Sequence, residues 1–319
     1  MKKVLLTGAS GFLGGAVANT LIQSDYFQLY AIVRNENKEC RFNISSFSEK
    51  SNVYSLDLRN FKEVFNLINE IKPDYIIHTA SLVDVNQAVK TPAKSFENSA
   101  IVTLNILESV RLSNLNTKII NHSSDKVYNK NTPPFDELMS LSPLHIYDVG
   151  KVTQEQIANS YNHHYGIQNI NLRCANYYGP YDFDFNRLIP YICKSIVFNE
   201  KLTLRSDKNF SRDFLYIEEA ALVNLKIMEK IEDNSFFSYG ESLNFSQEKS
   251  YTIKSIIDIF SRIHNSRLEV YYENIQHFES KDIVLDCTKS KNLLNWKNNT
   301  KFEEGLEITL DFYKKYLKL

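Results

Sequence analysis

The chain has 319 residues, beyond an average domain of ~100–200 and near the ~250–300 at which a single core stops growing. Apolar residues are 43% and charged residues 24%, an ordinary globular balance, and 37 Lys and Arg against 38 Asp and Glu give a net charge of −1. That near-neutrality argues against a global basic field for nucleic acid or a membrane surface. No long apolar run is present, and Met1-Lys2-Lys3-Val4 leads straight into a strand-like stretch, so the expectation is a cytoplasmic globule without span or signal peptide. The cysteines, Cys40, Cys174, Cys193 and Cys287, are isolated, and the histidines lack ligand spacing, so neither a disulfide framework nor a metal is expected.

In chain order, β-rich runs at 3–7, 28–33, 52–56, 74–79, 117–122 and 168–173 alternate with helical patterns at 12–24, 60–71, 92–113 and 144–165. Such alternation predicts an α/β fold, a Rossmann-type doubly wound parallel sheet covered on both faces. After Gly179-Pro180 the pattern loosens, with helices near 186–199, 218–231, 251–264 and 303–317. Short strands near 202–204, 212–217 and 242–245 lie between them. The predicted division is a dinucleotide-binding domain over 1–180, with segments returning to it near 211–245, and a smaller C-terminal α/β substrate-binding domain over 181–319.

Glycine is scarce, yet four of the nine, Gly8, Gly11, Gly14 and Gly15, fall within eight residues. They follow the apolar run Val4-Leu5-Leu6-Thr7 and open a helix at Phe12-Leu13. Glycines there permit a tight turn and close backbone approach to a pyrophosphate, which would sit at the helix N-terminus. The second strand ends at Arg34, which suits a 2′-phosphate and tilts the cofactor toward NADP, with NAD remaining open. Asp57, followed by Leu58, ends the third strand and is placed to accept a bond from an adenine amino group.

Active-site groups are expected beyond the carboxyl ends of the strands. The strand 117–122 runs into Ser123-Ser124-Asp125-Lys126, and Tyr147 and Lys151 follow at a helix start, four residues apart on one face. A tyrosine needs nearby positive charge to act as a base near neutrality. Lys151 and an oxidised nicotinamide would supply it, and Ser124 would bond the same substrate oxygen.

These motifs resemble extended short-chain dehydrogenases/reductases of the nucleotide-sugar epimerase and dehydratase group. Thr7-Gly8-x-x-Gly11-Phe12-Leu13-Gly14 resembles the glycine motif, and His78-Thr79-Ala80-Ser81 the fourth-strand end, which implies that Thr79, Ala80 and Ser81 face the cofactor. Ser124, Tyr147 and Lys151 match the catalytic triad. Arg173-Cys174-Ala175-Asn176-Tyr177-Tyr178-Gly179-Pro180 and Ser211-Arg212-Asp213-Phe214-Leu215-Tyr216-Ile217 resemble nucleotide-sugar-binding segments, and Leu294-Asn295-Trp296 a C-terminal Leu-Gly-Trp. Asn176 and Arg212, with Arg187, Leu188 and Arg205 behind them, are the implied substrate contacts, arginine suiting a diphosphate.

Ser124-Asp125-Lys126 and Asn186-Arg187-Leu188-Ile189-Pro190 resemble the CDP-glucose 4,6-dehydratase branch. The resemblance implies an NAD(P)-dependent dehydratase that oxidises C4, eliminates water across C5–C6 with Lys126 as base and Asp125 as acid, and returns hydride to C6. The alternatives are a C4 reductase or dehydrogenase, a C4 epimerase, and a non-catalytic nucleotide-binding scaffold. A homodimer through helices near 92–113 and 144–165 is also implied.

Overall fold

The computed structural model describes residues 1–34, 39–81, 85–128, 131–205, 207–233, 235, 239–273 and 281–318. Seven strands form one sheet: β1 (Lys2–Thr7), β2 (Phe27–Val33), β3 (Asn52–Ser55), β4 (Tyr75–His78), β5 (Lys118–His122), β6 (Asn169–Cys174) and the edge strand Glu241–Phe245. Their spatial order is the edge strand, β6, β5, β4, β1, β2, β3, and every pairing is parallel. Chain order reverses direction between β1 and β4, so a crevice opens beyond the carboxyl ends of these two strands. The strand expected near 242–245 returns to this sheet, pairing with β6 from Glu241↔Ile170 to Phe245↔Cys174.

Twelve α-helices accompany the sheet among the described residues: α1 (Phe12–Ile22), α2 (Arg41–Ile44), α3 (Phe61–Ile71), α4 (Val85–Lys90), α5 (Pro92–Phe96), α6 (Val102–Leu112), α7 (Ile146–Tyr165), α8 (Leu188–Phe198), α9 (Ile217–Glu232), α10 (Ile253–Ile263), α11 (Thr288–Leu294) and α12 (Phe302–Tyr316). Successive strand residues point to opposite faces. Val4 and Leu6 therefore pack with Ala16, Val17, Ala220 and Ile227 of α1 and α9. Leu5 joins Val64, Ile68, Ile106 and Ala158 of α3, α6 and α7 on the other face. Burial on both faces is why these strands read as unbroken apolar runs. A further core joins Ile192, Ile256, Phe260, Leu306 and Leu310 of α8, α10 and α12. Short strands at 202–204 and 270–272 pair beside it.

Two expected helices differ in detail. The 92–113 pattern is interrupted by a π-helical turn at Glu97–Ile101. The Ser99 hydroxyl donates to the Ser95 carbonyl at 2.8 Å and that of Thr103 to the Ser99 carbonyl at 2.7 Å, bonds that favour bending. The 144–165 pattern begins at Ile146 because the Asp148 carboxylate accepts the N–H groups of Leu144 and His145, at 3.2 and 3.0 Å. Gly150 lets α7 lie against the π turn, since a Cβ there would approach Ser99 Oγ to 2.6 Å. Among the described residues no helix is long and apolar enough to cross a membrane.

Candidate active site

The crevice is a cavity of about 1110 Å³ that runs from the glycine turn past the carboxyl ends of β1–β6 to α8. At its floor the chain turns at Gly8 (φ +73°), whose missing side chain leaves room for Ala80; a Cβ would lie 2.9 Å from the Ala80 nitrogen. A Cβ on Gly14 would lie 2.0 Å from the Gly8 carbonyl oxygen. The N-cap of α1 is Gly11, and among the described residues no side chain caps it, so the first N–H groups keep their anion-binding capacity. Gly11, Phe12 and Leu13 form this part of the wall. The cradle fits a dinucleotide pyrophosphate.

Thr7 differs from the rest of its motif. It is fully buried and off the cavity wall, its hydroxyl paired with His78 Nδ1 at 2.8 Å and accepting the Ala80 N–H at 3.2 Å. The Thr79 hydroxyl donates to the Thr7 carbonyl at 2.7 Å. Thr7 thus ties β1 to β4, while Thr79, Ala80 and Ser81 face the cavity. Arg34 is exposed on the cavity wall and reaches Asn98 at 3.4 Å. Leu58 lines the same end, but the Asp57 carboxylate is already engaged by the Arg59 guanidinium at 2.6–3.0 Å, which holds it below its usual range.

The chemical groups converge beyond β5. The Ser124 hydroxyl donates to Asp125 Oδ1 at 3.1 Å and accepts the Lys126 N–H at 3.3 Å, and Ser124 and Tyr147 both line the cavity. Asp125 is buried, and its Oδ2 has no hydrogen-bond partner among the described residues. Burial pushes its carboxyl up to about 6, although Lys126, Ser124 and Arg212 pull the other way. Lys126 lies on the cavity wall and is half-buried. Burial also raises the Tyr147 phenol, with Ser124 and Arg187 opposing and Asp125 and Asp148 reinforcing the rise.

Lys151 is not hydrogen-bonded to Tyr147, despite sharing its helix face. Its ammonium donates to the His122 carbonyl at 2.8 Å and to Gln154 Oε1 at 3.1 Å. Burial brings it down to about 8, with Glu155 and Cys174 opposing. In this arrangement the carbonyl end of β5 and α7's own Gln154 hold the lysine.

Beyond this cluster Asn176, Arg187, Leu188, Arg205 and Arg212 all line the cavity. Arg187 donates to Asp182 Oδ2 and to the Tyr177 carbonyl, both at 2.7 Å, and lies 5.6 Å over the Phe12 ring. It therefore stands beside the glycine turn. Arg212 donates to the Ser211 carbonyl at 2.7 Å and lies over Phe210. Asn176 is fixed to the Asp213 carbonyl, and Arg205 is exposed at the rim. Arg173, the first residue of a segment likened to sugar-binding sequences, is not at the cavity. It is buried in an ion pair with Glu155 at 2.7 Å. That pair does not announce itself in sequence spacing, whereas Gln154, three residues after Lys151 on α7, is a neighbour by helical spacing.

A family model described as the NAD dependent epimerase/dehydratase family matches residues 4–240. A putative UDP-glucose 4-epimerase of Methanocaldococcus jannaschii is 27% identical over 314 residues, covering 98% of each chain. The dTDP-glucose 4,6-dehydratase of Salmonella typhimurium is 24% identical over 98% of this chain and 92% of its own. Among solved structures, UDP-glucose 4-epimerase from Thermotoga maritima, determined with UDP-glucose, superposes with a TM-score of 0.90 at 22% identity and 99% coverage of both chains. The glycine cradle, the Ser124–Tyr147–Lys151 constellation and this match agree: the chain belongs to the NAD dependent epimerase/dehydratase family, within the nucleotide-sugar group of extended short-chain dehydrogenases/reductases.

Proposed function

We propose that the protein is a nucleotide-sugar 4,6-dehydratase, converting a nucleotide-diphosphate sugar to its 4-keto-6-deoxy derivative with loss of water. The observation that carries this reading is Asp125: a buried carboxyl with one unpartnered oxygen, beside Lys126 and behind the Ser124–Tyr147 pair. A carboxyl whose affinity for a proton is raised by burial is suited to donate one.

The residues of the glycine cradle would hold a nicotinamide cofactor, which would supply hydride acceptance at C4 and hydride return at C6. Tyr147 takes the C4 hydroxyl proton, with Ser124 bonding the same oxygen. Once C4 is a ketone the C5 proton is acidic. Lys126 removes it while Asp125 protonates the C6 hydroxyl, which leaves as water, and Lys126 then returns a proton to C5. Gly8, Gly11, Phe12, Leu13, Gly14, Leu58, Thr79, Ala80 and Ser81 would hold the cofactor, with Asp57 and Arg34 at its adenosine end. Arg34 favours NADP over NAD. Asn176, Arg187, Leu188, Arg205 and Arg212 would hold the nucleotide sugar. Residues 1–180, with returning segments in 211–245, form the cofactor unit in this reading, and 181–319 mainly the substrate unit.

The competing reading is C4 epimerisation, which needs Tyr147 but neither Asp125 nor Lys126. The greater identity to 4-epimerases favours it. Lys126→Met separates the two: nicotinamide reduction by bound nucleotide sugar should persist while water loss disappears. Full dehydration by this variant would remove Lys126 from the mechanism. Exposed Ile101, Leu112 and Tyr165 beside and on α6 and α7 are the apolar surface we assign to a second copy.

A further inference from the structure

The layer between a parallel sheet and its covering helix is ordinarily apolar. Behind Lys151 it holds a directed chain of side-chain amides instead. Gln154 Oε1 accepts from the Lys151 ammonium at 3.1 Å, and Gln154 Nε2 donates to Asn121 Oδ1 on β5. Asn121 Nδ2 donates to Asn171 Oδ1 on β6 at 2.8 Å, and Asn171 Nδ2 to Asn159 Oδ1 back on α7, also at 2.8 Å. Asn121 and Asn171 are register partners of the parallel β5–β6 pairing. Each amide fixes the orientation of the one before it. Turning Gln154 around would set its NH2 against the ammonium and its oxygen against Asn121 Oδ1.

Gln154, Asn121 and Asn171 are all buried, and none lines the cavity. A buried amide that loses a partner is costly, so apolar residues would be the simpler filling here. At the cavity end this chain of bonds reaches a single group, the Lys151 ammonium.

We propose that Gln154, oriented by Asn121, Asn171 and Asn159, is a positioning residue that holds Lys151 charged and fixed on the His122 carbonyl at the edge of the cavity. The inference rests on the reading that Lys151 assists proton transfer at Tyr147. Burial alone disfavours the ammonium, and an acceptor aimed at it restores the charged form. The other titratable groups around Lys151 are Glu155 on α7, Cys174 on β6, His122 on β5 and His78 on β4, with Tyr147 one turn earlier on α7. Glu155 is itself paired with Arg173 and hydrogen-bonded by Ser123, and both histidines are held neutral by burial. Gln154 is thus the neutral acceptor in direct contact with the lysine, besides the His122 carbonyl.

The test uses full-length protein loaded with cofactor and two readouts. One is the pH dependence of nicotinamide reduction by the nucleotide sugar. The other needs no sugar: competitive acylation of the Lys151 amine across pH, read by mass spectrometry. Gln154→Leu should move the alkaline limb and the acylation midpoint down by about one pH unit, a tenfold loss in proton affinity, with KM for the sugar within about twofold. Gln154→Glu, which places a carboxylate at the ammonium, should move both upward. It also carries the test if the leucine variant fails to fold. Unshifted midpoints, or a shift of the same sign in both variants, would overturn the proposal. Should no sugar be oxidised at all, the functional reading fails while acylation still reports on Gln154.

Discussion

Replacing Asp125 with asparagine separates chemistry from stability in a way the structure makes quantitative. The carboxyl is displaced by burial from 3.8 to about 6, so the folded protein binds this proton more tightly than the unfolded chain does. Stability therefore falls as pH rises from about 3.8 to about 6 and stays lower above that range. At about 1.4 kcal/mol per pH unit the loss is about 3 kcal/mol. Asparagine cannot ionise and escapes it, although an amide N–H group left unpartnered at the Oδ2 position returns part of the gain. Asp125→Asn should accordingly be more stable than the parent by about 1–3 kcal/mol at pH ~8 and no more stable near pH ~4. Water loss should meanwhile fall by about 10²–10⁴-fold, the usual scale for removing a general acid. Urea unfolding at the two pH values, with product analysis in parallel, measures both. A variant less stable than the parent at pH ~8, or equally stabilised at both pH values, would refute the buried-acid argument.

Other consequences concern separate parts of the molecule. Because Asp125 must carry a proton at the elimination step, the ratio of water loss to C4 oxidation should decline as pH rises above about 6, which stopped-flow nicotinamide absorbance with product quenching would show. Gly14→Ala drives a Cβ into the Gly8 carbonyl and should abolish cofactor binding in calorimetry. Glu155→Gln leaves the Arg173 guanidinium buried without its countercharge and should cost about 3–5 kcal/mol in denaturant unfolding. Arg34→Ala should weaken NADP binding more than NAD binding; equal losses would remove Arg34 from cofactor selection.

Backbone demands made much of the site legible. Gly8 and Gly14 stand where any side chain would strike Ala80 or the Gly8 carbonyl, and so scarce a residue clusters for that reason. The alternation of β and α runs likewise gave the sheet, because strands buried on both faces must be apolar throughout. What stayed hidden depends on three-dimensional partners. Thr7 belongs to the glycine motif yet turns inward to His78. Helical spacing put Tyr147 and Lys151 on one face, but a carbonyl at the end of β5 and Gln154 claim the lysine. Arg173 and Asn176 lie three residues apart, and only the first is turned inward to Glu155. The break in the 92–113 helix follows from serine and threonine hydroxyls bonding back onto the helix, which apolar periodicity does not record.

The central claim is elimination across C5–C6 by Asp125 and Lys126. Its most direct test is mass spectrometry of CDP-glucose, dTDP-glucose, GDP-mannose, a GDP-heptose and UDP-N-acetylglucosamine, each incubated with the purified protein in D₂O with NAD or NADP. Loss of water from one of these, with solvent deuterium incorporated at C5, is the expected result. A C4 epimer, or a C4 ketone that retains its C6 hydroxyl, would contradict the claim and return Asp125 and Lys126 to the wall of a different active site.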